Sequence, residues 1–322
     1  MRFVVYGAGA IGGVIGGRLA EHGHDVALIA RGAHYEAIRD HGLRIETPDD
    51  VVTVQVEVVD HPSHLRFGES DVVVLAMKSQ DTADALVALT AVAPPTTPVL
   101  CAQNGVENER VATRWFANVY GICVMCPAGH LVPGVVQAYS TPIPGILHLG
   151  CFPSGVDEVA EQVAAALRDA TFASEARPDI MRWKYTKLLM NLGNAAEAAF
   201  APSDARNTVV EQARAEGASV LRAAGIDFAS NEEDAALRGD TLRIRPIGSG
   251  RRGGGSSWQS LERKTGAVES DYLNGEIVSL GRLHGKPAPV NEALARLCTE
   301  MARDRAAPGS RSAEEFVSVT NR

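Results

Sequence analysis

The chain has 322 residues, a length typical of about two domains. Its 31 Lys and Arg against 39 Asp and Glu give a net charge of −8, a balance that does not favour a basic nucleic-acid-binding protein. With 45% apolar and 22% charged residues, the composition is that of a folded globular protein and not of a disordered one, and the 31 glycines stand out.

The first half of the chain alternates short apolar runs with helical patterns. The predicted strands are Arg2 to Tyr6, Asp25 to Ala30, Asp71 to Met77 and Pro98 to Ala102. The first predicted helix, Ala10 to His22, follows the first strand. Near-continuous Val, Leu and Ile runs separated by helices are typical of parallel strands that are covered on both faces. We therefore predict a doubly wound α/β domain over residues 1 to 178.

A glycine-rich motif joins the first strand to the first helix. It reads Gly7-Ala8-Gly9-Ala10-Ile11-Gly12. In this context the first glycine allows a tight turn, the second a close approach of a pyrophosphate, and the third close packing of helix on strand, with the phosphates at the helix N-terminus. A plain glycine-rich turn is the alternative, and the flanking strand and helix favour dinucleotide binding.

Arg31 follows the second predicted strand, where an NAD-specific site usually carries Asp or Glu for the ribose hydroxyl. An arginine can instead pair with a 2′-phosphate, so NADP is favoured over NAD. The alternative is a solvated loop arginine.

Two polar loops follow later strands at the edge where the cofactor is expected, because ligands bind at the carboxyl ends of parallel strands. One contains Lys78 and the other Gln103-Asn104-Gly105. Their side chains could reach the nicotinamide ribose and a substrate oxygen, although ordinary loop polarity is an open alternative.

Cys123 and Cys126 form a Cys-x-x-Cys pair inside an apolar run. No second Cys or His pair stands at ligand spacing, so we predict a buried strand and no metal site. Five cysteines, an odd and small number, favour a reducing, cytoplasmic compartment. No apolar stretch approaches a membrane span, and the glycines after Arg2 make a poor signal peptide, so we expect neither membrane association nor export.

Helical periodicity dominates the second half, and we predict a helical domain over residues 179 to 306 and a flexible tail over 307 to 322. The predicted helices are Asp179 to Phe200, Ser203 to Ala224, Asn231 to Arg243, Gly266 to His284 and Asn291 to Arg305. A glycine-rich loop, Gly248 to Gly255, is either a flexible surface loop or a lid over an anionic substrate.

Lys187, Asn191 and Asn194 share one face of the first of these helices at 100° per residue. A lysine flanked by carboxamides suits a carbonyl substrate, because the ammonium can polarise and protonate the oxygen. An ordinary helix with a polar stripe is the alternative, and Lys184 is a competitor for Lys187. Further on, Ser257 could bind a carboxylate, and Glu269 could pair with a lysine or simply favour a helix N-terminus.

In the order of these motifs the chain resembles the ketopantoate reductase family over nearly its whole length. The resemblance implies a Rossmann-type domain followed by an all-helical domain, with the active site between them and NADPH as cofactor. It also implies that Lys187 is the general acid, that Glu269 orients it, and that Asn191 and Ser257 bind the substrate. Asn104 would contact both cofactor and substrate, and the product of 2-dehydropantoate would be pantoate.

The sequence departs from the family pattern at two places. Ala195 stands where a second asparagine is expected, with Asn194 one position earlier. A few positions after Ser257 the family tends to carry an acidic residue, whereas here Trp258-Gln-Ser-Leu261 follows. Reduction of a different 2-oxo acid therefore stays open, as does a non-catalytic NADPH-binding sensor, which would not need Lys187, Ser257 and Glu269 together. A homodimer is a possible assembly.

Overall fold

A computed structural model describes residues 1–248, 254–264 and 266–320. The chain divides into two compact units. The first comprises Met1–Lys184 and the described residues from Asn231 to Gly248, and the second comprises Tyr185–Ser230 and the described residues from Gly254 onward. The division thus lies shortly after the predicted boundary at 178, and the segment from Asn231 clusters with the first unit, although the sequence predicts it in the helical domain.

The strands and helices of the described residues are as follows. The strands are β1 (Arg2–Tyr6), β2 (Asp25–Ile29), β3 (Leu43–Glu46), β4 (Val51–Val54), β5 (Glu57–Val59), β6 (Asp71–Leu75), β7 (Val99–Cys101), β8 (Val119–Met125), β9 (Ala128–Gly129), β10 (Val135–Ala138) and β11 (Ile146–Cys151). The helices are α1 (Ala10–Glu21), α2 (Gly32–His41), α3 (Thr82–Thr90), α4 (Asn108–Ala112), α5 (Glu158–Asp169), α6 (Ile180–Asn191), α7 (Gly193–Ala199), α8 (Asp204–Ala223), α9 (Asn231–Arg238), α10 (Ser256–Glu262), α11 (Asn274–Leu283), α12 (Pro289–Arg303) and α13 (Ala313–Thr320).

The main sheet of the first unit has seven strands in the order β11-β8-β7-β6-β1-β2-β5. All neighbours pair in parallel except β11, which runs antiparallel to β8. The predicted fold class is confirmed, and so are the predicted strands β1, β2, β6 and β7. Because these four strands are parallel, the segments that follow them lie at the same edge of the sheet.

Alternate residues of β1 show how the sheet is covered. Phe3 and Val5 belong to one buried cluster and Val4 and Tyr6 to another, as the two-residue repeat of a strand requires. Helices α1 and α5 cover the first face and α3 and α4 the second. The apolar runs of the sequence are therefore strands that are buried on both faces.

A second sheet, with strand order β4-β3-β10-β9, belongs to the same unit and is not predicted by the sequence. Its strands have two to four residues each, and β3 pairs in parallel with β10, about 90 residues later. The predicted strand around Cys123 and Cys126 is confirmed as β8, which is buried throughout and ends at Met125.

The second unit is helical, as predicted, but several helix bounds differ. The predicted helix from Asp179 to Phe200 is interrupted at Leu192 and forms α6 and α7. The predicted helix from Gly266 begins only at Asn274, and a 3₁₀ turn, Ser270–Tyr272, precedes it.

The polar tail expected from residue 307 is corrected by the structure. It contains helix α13, and the Phe316 ring lies 5.3 Å from the ring of Phe200. The ring of Phe316 anchors this segment to the helical unit. Of the predicted lid, residues 249–253 lie outside the described residues. Among the residues that are described, no helix is long and apolar enough to cross a membrane.

Candidate active site

The turn between β1 and α1 combines tightly packed glycines with one open backbone position. Gly7 has φ +99°, and a Cβ on Gly12 would lie 2.2 Å from the Gly7 carbonyl oxygen, so neither position accepts a larger residue. A Cβ on Gly9 would meet nothing within 4 Å, so the backbone is open to a ligand there. No side chain caps α1, and no acidic residue stands in its first turn, which leaves the helix N-terminus suited to an anion.

His34 fixes the carbonyl of Ala8 in this turn. Its Nε2 lies 2.6 Å from the Ala8 oxygen, while its Nδ1 accepts the Gly134 N–H over 2.9 Å. These partners define a neutral ring that carries its proton on Nε2. Burial, together with the nearby His130 ring, lowers the pKa of His34 to about 4, in agreement with a neutral side chain.

Arg31 follows β2, as predicted, and its exposed side chain stands at the first boundary of α2. Its position after the second strand is the one at which a Rossmann-type site distinguishes the ribose hydroxyl from a 2′-phosphate. No carboxylate stands in the first turn of α2. The local charge therefore suits a phosphate.

A buried hydrogen-bond network joins the two predicted cofactor loops. Asn108 Nδ2 donates to Ser79 Oγ (3.1 Å) and to the Asn104 carbonyl (3.2 Å). Thr82 Oγ1 donates to Asn108 Oδ1 (2.8 Å) and accepts from Gln103 Nε2 (2.9 Å). The loop that carries Lys78 and the loop that carries Asn104 are thus parts of one polar structure in the first unit.

Lys184 is buried beneath the second of these loops. Its ammonium lies 2.5 Å from Glu109 Oε1, 3.1 Å from the Gln103 carbonyl oxygen and 3.3 Å from that of Cys101. The side chains of Lys184 and Glu109 are 2% and 0% exposed. Burial raises the pKa of Glu109, while the Lys184 ammonium acts against that shift. Two carbonyl hydrogen bonds and the ion pair with Glu109 hold this buried ammonium, so the geometry does not favour Lys184 as a donor to a substrate.

In the second unit, Lys187 and Asn191 lie one turn apart on α6, and Lys187 is partly exposed whereas Asn191 is buried. Asn194 belongs to α7, beyond the interruption, so the predicted common face of one continuous helix holds for the first two residues only. The side chain of Asn194 lies beside Gly255, since a Cβ on that glycine would come within 3.4 Å of Asn194 Oδ1.

Glu269 is nearly buried, at 6% exposure, and accepts a hydrogen bond from Ser256 Oγ over 3.2 Å. It precedes a 3₁₀ turn instead of standing in the first turn of a long helix that is predicted from Gly266. Ser257, the serine predicted to bind substrate, is the next residue of α10 and is 2% exposed. Sequence reasoning missed Ser256, and the adjacent serine pair was the only signal that could have indicated it.

Asn274 is a second residue that sequence reasoning did not assign. Its Nδ2 donates to the Leu192 carbonyl (3.1 Å) and to Asn291 Oδ1 (2.9 Å). Leu192 is the residue at which α6 gives way to α7. Asn274 therefore holds the junction that carries Asn191 on one side and Asn194 on the other.

A doubly wound parallel sheet with a glycine-rich turn after its first strand, followed by a helical unit, has the architecture of Rossmann-type proteins. Residues 3–154 match the family described as ketopantoate reductase PanE/ApbA, and residues 179–302 match its C-terminal domain. The chain belongs to this family. The predicted family and enzyme class are thereby confirmed, because the family consists of oxidoreductases that act on a 2-oxo acid and use NADH or NADPH.

Curated relatives agree with this assignment. The chain is 29% identical over 299 residues to the 2-dehydropantoate 2-reductase of Pyrococcus horikoshii. The alignment covers 90% of this chain and 94% of the relative. It is 30% identical over 338 residues to the enzyme of the same name from Mesorhizobium japonicum, with 95% and 99% coverage.

Solved structures share the fold. The ketopantoate reductase of Ralstonia eutropha JMP134 superposes with a TM-score of 0.78 at 28% identity and covers 95% of this chain and 99% of its own. A D-mandelate dehydrogenase with NADH and anilino(oxo)acetate gives a TM-score of 0.79 at 24% identity, with the same coverage. At that identity the second likeness shows the fold alone.

Proposed function

We propose that this protein reduces 2-dehydropantoate to pantoate with NADPH, and that Lys187 is the general acid. The observation that carries the proposal is the contrast between the two lysines of α6. Lys184 is buried against Glu109 and two backbone carbonyls, whereas Lys187 is partly exposed, one turn before Asn191. The family membership of both halves of the chain supplies the reaction class.

The residues that would hold the dinucleotide are Gly7, Ala8, Gly9, Ala10, Ile11 and Gly12 at the pyrophosphate, Arg31 at the 2′-phosphate, and Lys78 and Asn104 nearer the nicotinamide. NADPH supplies a hydride to the carbonyl carbon when it is bound. Gly9 leaves room for the phosphates, and Arg31 offers a charge that distinguishes NADPH from NADH.

On the substrate side, Lys187 donates a proton to the carbonyl oxygen as that oxygen gains negative charge, so that the C=O group becomes CH–OH. Asn191, Asn194 and Ser257 bind the 2-oxo acid, with Asn104 contacting it as well. Glu269, held by Ser256, balances the charge of the lysine and favours its protonated form.

A second candidate, reduction of a different 2-oxo acid, is favoured by one observation. Ala195 is buried where the family pattern has a carboxamide, and Asn194 projects from α7 instead. A changed amide position alters the hydrogen bonds available to a substrate hydroxyl, and hydrogen-bonding sites discriminate strongly between substrates.

The test is oxidation of NADPH and of NADH by the purified protein with a panel of 2-oxo acids that includes 2-dehydropantoate. Preferred turnover of 2-dehydropantoate with NADPH would support the proposal. Preferred turnover of another acid would select the second candidate, and NADPH binding without turnover of any acid would indicate a non-catalytic sensor.

A further inference from the structure

Two buried side chains hold the peptide groups on both sides of Asn104. Lys184 Nζ donates to the carbonyl of Gln103, which precedes Asn104, over 3.1 Å. Asn108 Nδ2 donates to the carbonyl of Asn104 itself over 3.2 Å. Because each peptide group is planar, fixing both carbonyls fixes the backbone torsions of Asn104 between them. The direction in which the Asn104 side chain leaves the backbone is thus restricted.

Both anchors depend on one short helix. Asn108 and Glu109 are the first two residues of α4, and Glu109 holds Lys184. Asn108 also donates to Ser79 Oγ, so the same helix ties down the loop next to Lys78. Helix α4 is therefore a common support for the two loops that are proposed to face the nicotinamide.

The charge of this support calls for an explanation beyond stability. Taking Lys184 and Glu109 out of water carries a desolvation cost that their attraction often fails to offset, and apolar residues of similar volume frequently replace such pairs without loss of stability. A buried ammonium does have one property that an apolar side chain lacks. It can bind two backbone carbonyls and a carboxylate at once, in fixed directions.

We infer that the Lys184–Glu109 pair, with Asn108, sets the backbone of Asn104 in its binding conformation before cofactor or substrate arrives. These three are positioning residues, since Lys184 and Glu109 are buried and act only through the loop. The inference rests on the proposed function for the role of Asn104, and it adds the device that prepares that residue. Preorganisation of this kind lowers the cost of ordering a loop on binding.

The first test replaces the pair as a unit, with Lys184→Met and Glu109→Leu together, and compares it with Asn104→Ala. The double variant is expected to unfold at a temperature close to that of the wild type but to lose at least about tenfold in kcat, as misplacement of a positioning group does. Introduced into the Asn104→Ala protein, it should cause no further loss, because coupled residues are non-additive. A full additional loss in that background would overturn the inference.

The matched control is another ion pair of the same unit, Arg2 with Asp71, whose charged atoms lie 2.8 Å apart with Asp71 buried. It stands at the amino ends of β1 and β6, at the opposite edge of the sheet from the loops. Arg2→Met with Asp71→Leu is expected to leave kcat unchanged. An equal loss of kcat in this control would show that the effect is not specific to the loop support and would overturn the inference.

The second test needs no activity. Backbone amide hydrogen exchange of residues 102 to 107 in the ligand-free protein should become at least about tenfold faster in the Lys184–Glu109 double variant and stay unchanged in the control. Unchanged exchange would overturn the inference. If the wild type reduces no 2-oxo acid, the proposed function fails while the exchange result still decides the inference.

A milder double variant keeps both measurements possible if the first one does not fold. Lys184→Met with Glu109→Gln, which keeps the shape of the second side chain, would then replace the first double variant in both measurements. Failure of both variants to fold would assign the pair to stability and overturn its positioning role.

Discussion

Ser256 Oγ donates a hydrogen bond to Glu269 Oε2 over 3.2 Å, and Glu269 is 6% exposed. The bond connects the start of α10 with the segment before the 3₁₀ turn, within the helical unit. Ser256 therefore has a structural partner in Glu269, whereas the adjacent Ser257 is proposed to bind the substrate.

Replacement of the two serines should change different kinetic constants. Ser256→Ala removes a hydrogen bond to a charged group, worth about 1.5–3 kcal/mol, and is expected to lower kcat by about tenfold or more with little change in the KM of the 2-oxo acid. Ser257→Ala should instead raise that KM. Steady-state kinetics at saturating NADPH measures both, and the opposite pattern would exchange the two assignments.

Replacement of Lys187 should reduce activity, whereas replacement of Lys184 should reduce stability. Lys187→Ala is expected to lower kcat by about 10²–10⁴-fold and to leave the melting temperature unchanged, because the side chain is partly exposed. Lys184→Ala leaves Glu109 buried without its cation and should cost about 3–5 kcal/mol of stability. Thermal unfolding and turnover of both variants, with Lys286→Ala as an exposed control, check this. Normal kcat in Lys187→Ala would exclude it as the general acid.

Arg31 should set the choice between NADPH and NADH. Arg31→Ala is expected to raise the KM of NADPH by roughly 10–100-fold, the loss of a charge-assisted bond to phosphate, and to leave the KM of NADH almost unchanged. Arg39→Ala, an exposed arginine later on the same helix, is the control. An equal effect on both cofactors would contradict a 2′-phosphate contact.

The elements that the sequence predicts well are those with a local cause. Strands β1 and β6 are continuous apolar runs, and the turn from Gly7 to Gly12 has glycines where backbone geometry requires them. Both features follow from neighbouring residues alone. For this reason the fold class and the glycine turn between β1 and α1 could be predicted without a structure.

The features that the sequence does not predict depend on distant partners. Lys184 and Glu109 look like ordinary charged residues of helices, and only their encounter across 75 positions makes burial possible. Strand β10 is short and pairs with β3, far earlier in the chain. The interruption between α6 and α7 is also not visible in the sequence, because the apolar periodicity continues through it. At this point Gly193 packs closely on Val210 of α8, a residue that is distant in sequence.

Alanine substitutions at Gly12 and Gly9 should impair different properties, stability in the first case and NADPH binding in the second. Gly12→Ala places a methyl group 2.2 Å from the Gly7 carbonyl oxygen and 2.8 Å from Ala76 Cβ, and should cost about 1–3 kcal/mol of stability. Gly9→Ala meets no atom within 4 Å and should fold normally, yet it fills the space for the phosphates and should weaken NADPH binding at least about tenfold. Thermal unfolding and NADPH titration distinguish the two, and normal NADPH binding by Gly9→Ala would place the phosphates elsewhere.

His34 should make the first unit less stable in mild acid. Burial lowers its pKa to about 4, below the ordinary value of 6.5, so the unfolded chain binds more protons between these values and stability falls as the pH drops from about 6.5 to 4. Protonation would also place a second N–H against that of Gly134. After allowance for solvent screening, we expect a loss of about 1–2 kcal/mol over this range. Denaturant unfolding at pH 7 and pH 4.5 measures the loss, which should shrink in His34→Gln. His41→Gln, exposed at the end of the same helix, is the control, and an identical pH dependence in His34→Gln and the wild type would assign the acid sensitivity to other groups.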